Sequence, residues 1–175
     1  MPKKTEIRIG GSGGQGVVLA AQILGKAAAI EGKNAVQTQA YGAEARGSFA
    51  KSEVIISDAK IGFPAVRSPD ILVAMSQESL NVLLKDLKED GILIFDSSNV
   101  KLPEMTKARQ YGVPATEAAR KDFGDAIYAN MIMLGTLTSK TKLVSTPAVE
   151  KAIEQSVSKK TLESNIKAFR KGLEL

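Results

Sequence analysis

Glu6-Ile-Arg-Ile-Gly10 alternates polar and apolar positions and predicts a first strand. It runs through Gly11-Ser-Gly-Gly-Gln-Gly16 into 17–30, a nearly all-apolar stretch of helical length. A helix apolar on most of its faces is a buried one, packed against a sheet. Gly32 ends it, and 34–40 reads as a second strand. A loop at 41–48 precedes 49–57, a strand with polar interruptions placed near a sheet edge. Ile71-Leu-Val-Ala-Met75 and Ile92-Leu-Ile-Phe95 are short continuous apolar runs, which suit central strands covered on both faces. Between them Leu80, Leu83, Leu84 and Leu87 follow the spacing of an amphipathic helix, with Ser76 as its cap. The remainder predicts a strand at 110–114, a largely apolar helix at 126–138 and a helix capped by Thr146 with Pro147 at its first position. Leu162, Ile166, Phe169 and Leu173 mark a last amphipathic helix.

Strands alternate with helices, with no repeat and no low-complexity linker. The pattern predicts one α/β domain over residues 1–175: a single open, mostly parallel, Rossmann-like sheet with helices on both faces and a helical C-terminal segment. That segment could pack on the sheet or dock a partner.

Composition sharpens the picture through its zeros. The 175 residues contain no Cys, no His and no Trp. A disulfide framework, a thiolate nucleophile and a thiolate-held zinc or iron–sulfur cluster are therefore excluded. So are a Ser-His-Asp triad and an imidazole base. The chain points toward a binding or subunit role. No apolar run approaches a membrane span, and no apolar segment follows the first lysines, so a cytoplasmic chain with no membrane attachment is expected. The formal charge is +5, from 24 Lys+Arg against 19 Asp+Glu, concentrated in the last third at Lys140, Lys142, Lys151, Lys159, Lys160, Lys167, Arg170 and Lys171. With three Tyr and five Phe to stack on bases, these charges read as solvated helix faces rather than a nucleic-acid surface.

Gly11-x-Gly13-x-x-Gly16 stands between a predicted strand and a predicted helix, the context a phosphate-binding turn needs. Glycines let the backbone approach an anion, and the helix N-terminus offers free N–H groups. A tight strand–helix turn without ligand is the alternative. A nicotinamide site also wants a carboxylate at the end of the second strand, and that strand ends Gln37-Thr-Gln-Ala40. A free-standing nicotinamide-dependent oxidoreductase is thus disfavoured, and no Gly-Lys-Ser/Thr follows the loop to make a nucleotide-triphosphate site.

Tyr41-Gly42-Ala43-Glu44-Ala45-Arg46-Gly47-Ser48 is expected at the carboxyl end of the second strand, beside the glycine loop. Arg46 offers a planar donor fork for phosphate or carboxylate, and Glu44 could hold it in place or face a partner. A structural Glu–Arg pair is the other reading. Asn130 inside its apolar helix reads as an amide satisfied by backbone groups, and Met105, Met131 and Met133 as packing residues.

These residues carry a resemblance. Gly11-Ser-Gly-Gly-Gln-Gly-Val-Val-Leu-Ala-Ala20 and Gln37-Thr-Gln-Ala-Tyr-Gly-Ala-Glu-Ala-Arg-Gly-Ser48 resemble the gamma subunits of the 2-oxoacid:ferredoxin oxidoreductases. The likeness extends through Ser52–Asp58, Val73–Glu78, Pro114–Glu117, Ala129–Gly135 and Asn165–Gly172 and is strongest for the 2-oxoglutarate branch. It implies a non-catalytic subunit of a complex that converts 2-oxoglutarate and coenzyme A to succinyl-coenzyme A and carbon dioxide while reducing ferredoxin. Pyruvate, branched-chain and indolepyruvate members are the alternatives, as is a scaffold subunit that binds nothing. Thiamine diphosphate, Mg and 4Fe-4S clusters are then expected on partner subunits, alpha and beta, with a ferredoxin-like delta subunit as a further candidate. Coenzyme A would be contacted here, through Gly11, Ser12, Gly13, Gly14, Gln15 and Gly16, with Tyr41, Gly42, Glu44, Arg46 and Gly47 along the same edge or at a subunit contact. Ser12, Ala43 and Ser48 depart from the family's usual residues, each by a small replacement.

Overall fold

The computed structural model describes residues 3–42, 47–103 and 106–175. Strand β1 (Lys4–Ser12) leads to helix α1 (Val17–Ile30), then β2 (Asn34–Tyr41) and β3 (Phe49–Ser57). Next come β4 (Ile71–Ala74), α2 (Gln77–Leu83), β5 (Ile92–Asp96) and β6 (Arg109–Val113). Helices α3 (Ala115–Phe123), α4 (Ala129–Thr141), α5 (Thr146–Glu154) and α6 (Lys159–Glu174) complete the chain. No described helix is long and apolar enough to cross a membrane.

The six strands form one sheet in the order β2-β3-β1-β4-β5-β6. The pairings β1–β4, β4–β5 and β5–β6 are parallel, while β3 runs antiparallel to both β1 and β2. The sheet is therefore mixed, though mostly parallel, and β2 is not the neighbour of β1. Its eight residues instead form a hairpin with β3, which slides between them. The polar interruptions of β3 have partners that make an inner position possible. Ser52 accepts from Gln37 and donates to Thr38 O at 2.8 Å, and Glu53 accepts from Arg8 Nε at 2.8 Å.

Alternate residues of the strands face two cores. Ile7, Ile9, Val54, Ile56, Val73 and Ile94 pack with α1, α4 and α5. Leu72, Ala74 and Leu93 pack with Leu80 and Leu83 of α2 on the opposite face. Helix α1 occupies the predicted residues because its alanines and aliphatics leave almost no polar side: Ala21, Ile23, Leu24, Ala27 and Ala28 are fully buried. Met131 and Met133 are packing residues of the same core. Met105 lies outside the described residues.

Three boundaries differ from the sequence pattern. Helix α2 stops at Leu83 and tightens into a 3₁₀ turn, Leu84–Asp86, so Leu87 is beyond it. The segment at 126–128 is another 3₁₀ turn and α4 runs on to Thr141. The cap of α5 is Ser145, whose side chain accepts from Ala148 N at 3.3 Å, and Thr146 is its first helical residue. The C-terminal helices pack on the fold itself. Helix α6 lies on α4 at backbone contact: a Cβ on Gly172 would fall 1.9 Å from Ile132 O, and one on Gly135 2.1 Å from Phe169 O. Thr136 Oγ1 donates to Gly172 O across this seam at 3.0 Å.

Candidate functional site: a cavity at the carboxyl ends of β1, β4 and β5

Because α1 covers one face and α2 the other, the chain changes sides between β1 and β4. In open α/β sheets the crevice outside the carboxyl ends of such strands is where ligands bind. A cavity of about 310 Å³ lies there, lined by Gly14 and Gln15 of the glycine loop, Met75 after β4, Asn99 after β5, and Thr116 and Arg120 of α3. Asp125, Ala126, Ile127 and Ala129 close its far side.

The glycine loop is held from three directions. Gln15 folds back so that its Oε1 accepts from Ser12 N at 2.7 Å, while its Nε2 donates to Met75 O at 3.1 Å. Asn130 lies beneath the loop, donating from Nδ2 to Gly16 O at 3.2 Å and accepting Met131 N at 2.8 Å. On the β3 side Gly13 N donates to Ser48 O at 2.7 Å. Two glycines are demanded by geometry. Gly16 has φ +76° and a Cβ there would meet Asn130 Nδ2 at 2.3 Å. Gly14 has φ +92°, and a Cβ on it would meet no atom within 4 Å, so its open side is free for a ligand. Helix α1 starts at Gly16 without a side-chain cap, which leaves first-turn amides for water or an anion.

The opposite wall is built on Asp96, the fully buried last residue of β5. Its carboxylate accepts from Thr116 N at 3.2 Å, Thr116 Oγ1 at 2.5 Å, Ser98 N at 3.1 Å and Asn99 Nδ2 at 3.1 Å. A carboxylate at the first turn of α3 is favoured by the helix's own dipole. It fixes Thr116, and through the helix Arg120 one turn later, at the cavity wall. The donors available to a ligand are thus backbone amides and a guanidinium, since Asn99 Nδ2 is given to Asp96 and Thr116; Asp125 adds a carboxylate whose Oδ1 accepts Ile127 N at 2.9 Å. With open backbone amides on one wall and a guanidinium on the other, the arrangement suits holding an anionic group. Among the described residues no three His, Cys, Asp or Glu side chains gather as a metal-binding set.

Of the residues singled out from sequence, Gly14 and Gln15 line the cavity and Gly13 and Gly16 shape the loop. Gly11 and Ser12 belong to β1, paired with Ala50 and Phe49. Tyr41 ends β2 and is exposed, Gly42 N donates to Phe49 O at 2.8 Å, and Gly47 rests against Gly13; none of the three lines the cavity. Glu44 and Arg46 lie outside the described residues. Asn130 is the backbone-satisfied amide expected, and what it satisfies is the glycine loop. Sequence reasoning missed Met75, Asn99, Thr116, Arg120 and Asp125. The rule that ligands gather after the carboxyl ends of strands could have flagged Met75 and Asn99; Arg120 gives no local signal.

Comparison with known proteins decides the family. The sequence profile of pyruvate ferredoxin/flavodoxin oxidoreductase matches residues 6–175. The chain belongs to that family. Within this oxidoreductase family it is similar to the 2-oxoglutarate synthase subunit KorC of Methanothermobacter thermautotrophicus, at 49% identity over 98% of this chain and 95% of that one. Among solved structures it is similar to the keto/oxoacid ferredoxin oxidoreductase gamma subunit from Geobacter sulfurreducens. The TM-score there is 0.86 at 43% identity, over 97% of this chain and 96% of that one. The resemblance to gamma subunits read from the two loop motifs is borne out. The fold also recurs in the 2-oxoglutarate:ferredoxin oxidoreductase from Magnetococcus marinus, solved with 2-oxoglutarate, coenzyme A and succinyl-CoA bound. There the TM-score is 0.89 at 22% identity, and 98% of this chain spans 31% of that one.

Proposed function

We propose that this chain is the gamma subunit of a 2-oxoglutarate:ferredoxin oxidoreductase and that it receives the pyrophosphate of coenzyme A at the Gly14–Gln15 wall of the cavity. The observation that carries the subunit assignment is the likeness to the methanogen 2-oxoglutarate synthase subunit along nearly all of both chains. The coenzyme A reading rests on the open glycine loop. It gains support from the coenzyme A bound in the larger enzyme that shares this fold. Decarboxylation would take place on thiamine diphosphate with Mg, and electrons would leave through 4Fe-4S clusters to ferredoxin. A chain without Cys supplies no thiolate to such clusters, and the resemblance implies that thiamine diphosphate and Mg, like the clusters, belong to alpha, beta and delta partners. The complex is cytoplasmic in this reading.

The test is anaerobic purification of the tagged chain from its host, with assay of 2-oxoglutarate- and coenzyme-A-dependent ferredoxin reduction. Active, coloured material with co-eluting subunits supports the assignment; a lone inactive chain from a host making those subunits overturns it. For the loop, Gly14→Asp is compared with Gly14→Ala, since both strain a positive-φ position and only one adds a charge. We expect Gly14→Asp to raise the KM for coenzyme A about tenfold above Gly14→Ala, a loss of about 1.4 kcal/mol. Equal KM values in the two variants overturn the loop assignment.

A further inference from the structure

We infer that Arg120 is the side-chain counter-charge of the cavity and fixes the affinity for the anionic group held against Gly14, an inference that rests on the coenzyme A reading above. Three observations bring it there. Arg120 lines the same cavity as Gly14, from the opposite wall. Its guanidinium makes no hydrogen bond or ion pair with any described residue. Three cations of α6 are committed elsewhere: Lys167 to Glu163, Arg170 to Glu150 and Lys171 to Asp122. The Asp96–Thr116 bonds set the rotation of α3, and Thr116 and Arg120, one turn apart, reach the cavity together. Asp122 pairs with Lys171, and Asp125, which lines the same cavity, forms no ion pair with Arg120.

A guanidinium presents a planar donor fork that matches two phosphate oxygens, and charge-assisted bonds of this kind are the strong ones. The Gly14 backbone and Arg120 would then grip a pyrophosphate from two sides. Substrate decarboxylation, assigned to partner subunits, does not pass through this residue. Its effect is therefore expected on coenzyme A affinity and not on the 2-oxoacid.

The experiment uses the assembled complex carrying Arg120→Gln or Arg120→Lys. Equilibrium titration with coenzyme A, without 2-oxoacid, is expected to show about tenfold weaker binding for Arg120→Gln and partial recovery for Arg120→Lys. The KM for coenzyme A should rise in parallel, with kcat and the KM for 2-oxoglutarate unchanged. Because Arg120 also sits in the last turn of α3, where a cation favours the helix, the melting temperature of each variant is recorded. A loss of affinity that merely follows a lower melting temperature overturns the inference. Dephospho-coenzyme A, which lacks the 3′-phosphate, should suffer the same penalty; if the penalty disappears with it, the pyrophosphate assignment is overturned. If Gly14→Asp weakens coenzyme A and Arg120→Gln does not, this inference fails while the loop reading stands. If neither variant changes affinity, both fail.

Discussion

Arg8 places a guanidinium, 3% exposed, in the middle of the sheet. Every donor group finds a different element: Nε reaches Glu53 on β3 at 2.8 Å, one terminal nitrogen reaches Asp86 at 2.8 Å, and the other donates to Val66 O at 2.8 Å. Glu53 also accepts from Val66 N, at 3.4 Å. The pair thus clips the 58–70 connection and the turn after α2 to the face of β1 that α2 covers. Removing a buried partner outright typically costs about 3–5 kcal/mol, and here the low end of that range is expected, because Glu53 keeps Lys51 at 3.3 Å and Arg8 keeps Asp86. Arg8→Met is expected to destabilise by that amount in urea unfolding, and Arg8→Met with Glu53→Leu by clearly less. Equal losses in the single and double variants would mean that the guanidinium's other two bonds, not the ion pair, matter most. None of this was legible in the sequence. In sequence Arg8 is one polar position of an alternating strand, and its partners are separated from it by 45 and 78 residues.

The junction of α1 with α5 is also fastened by one carboxylate. Glu31 ends α1 and accepts from Ser145 N, the cap residue of α5, at 2.6 Å, while Lys33 Nζ lies 3.2 Å from its second oxygen. Partial burial works against its charge, but the bonds from Ser145 and Lys33 outweigh that and hold its pKa below the ordinary 4.5. A lowered carboxyl pKa means that the stabilisation is fully present above about pH 4.5 and is lost as pH falls through the folded value. Glu31→Gln should therefore unfold at lower urea than the parent near pH 6, by about 1 kcal/mol, and the gap should close as the pH falls below the folded pKa. A gap independent of pH would remove the carboxylate from the explanation. The elements themselves were largely readable. The bounds of α1 followed from its apolar run, and β4 and β5 from theirs. The pairing of β2 was not, because strand order depends on which edge the chain returns to. Nothing in Asn34–Tyr41 distinguishes a neighbour of β1 from one strand of a hairpin. Nor was the true cap of α5, since Ser145 and Thr146 are chemically equivalent as caps and Glu31 decides between them from a distance.

At the scale of the whole molecule, the glycine loop could be read because strand, glycines and helix are contiguous. The cavity could not, because its other wall comes from residues 75, 99, 116 and 120, which the sheet alone brings together. The antiparallel β3 also joins the two motif-bearing loops. Gly13 N donates to Ser48 O, so the amide of a loop at one end of α1 is held by a residue that follows the β2 strand. That single bond has a temporal consequence. The β2–β3 hairpin closes over a short stretch of chain, whereas β1 must find β3 across the whole of α1 and β2, a slower closure. In a refolding experiment with pulsed deuterium labelling, amides of the hairpin should gain protection before that of Gly13, whose protection marks the instant at which the two halves of the sheet meet. Simultaneous protection would mean that the hairpin has no independent existence. In the native protein the same amide serves as a sentinel: its exchange with solvent reports any opening between β1 and β3, in the isolated chain and in the complex alike.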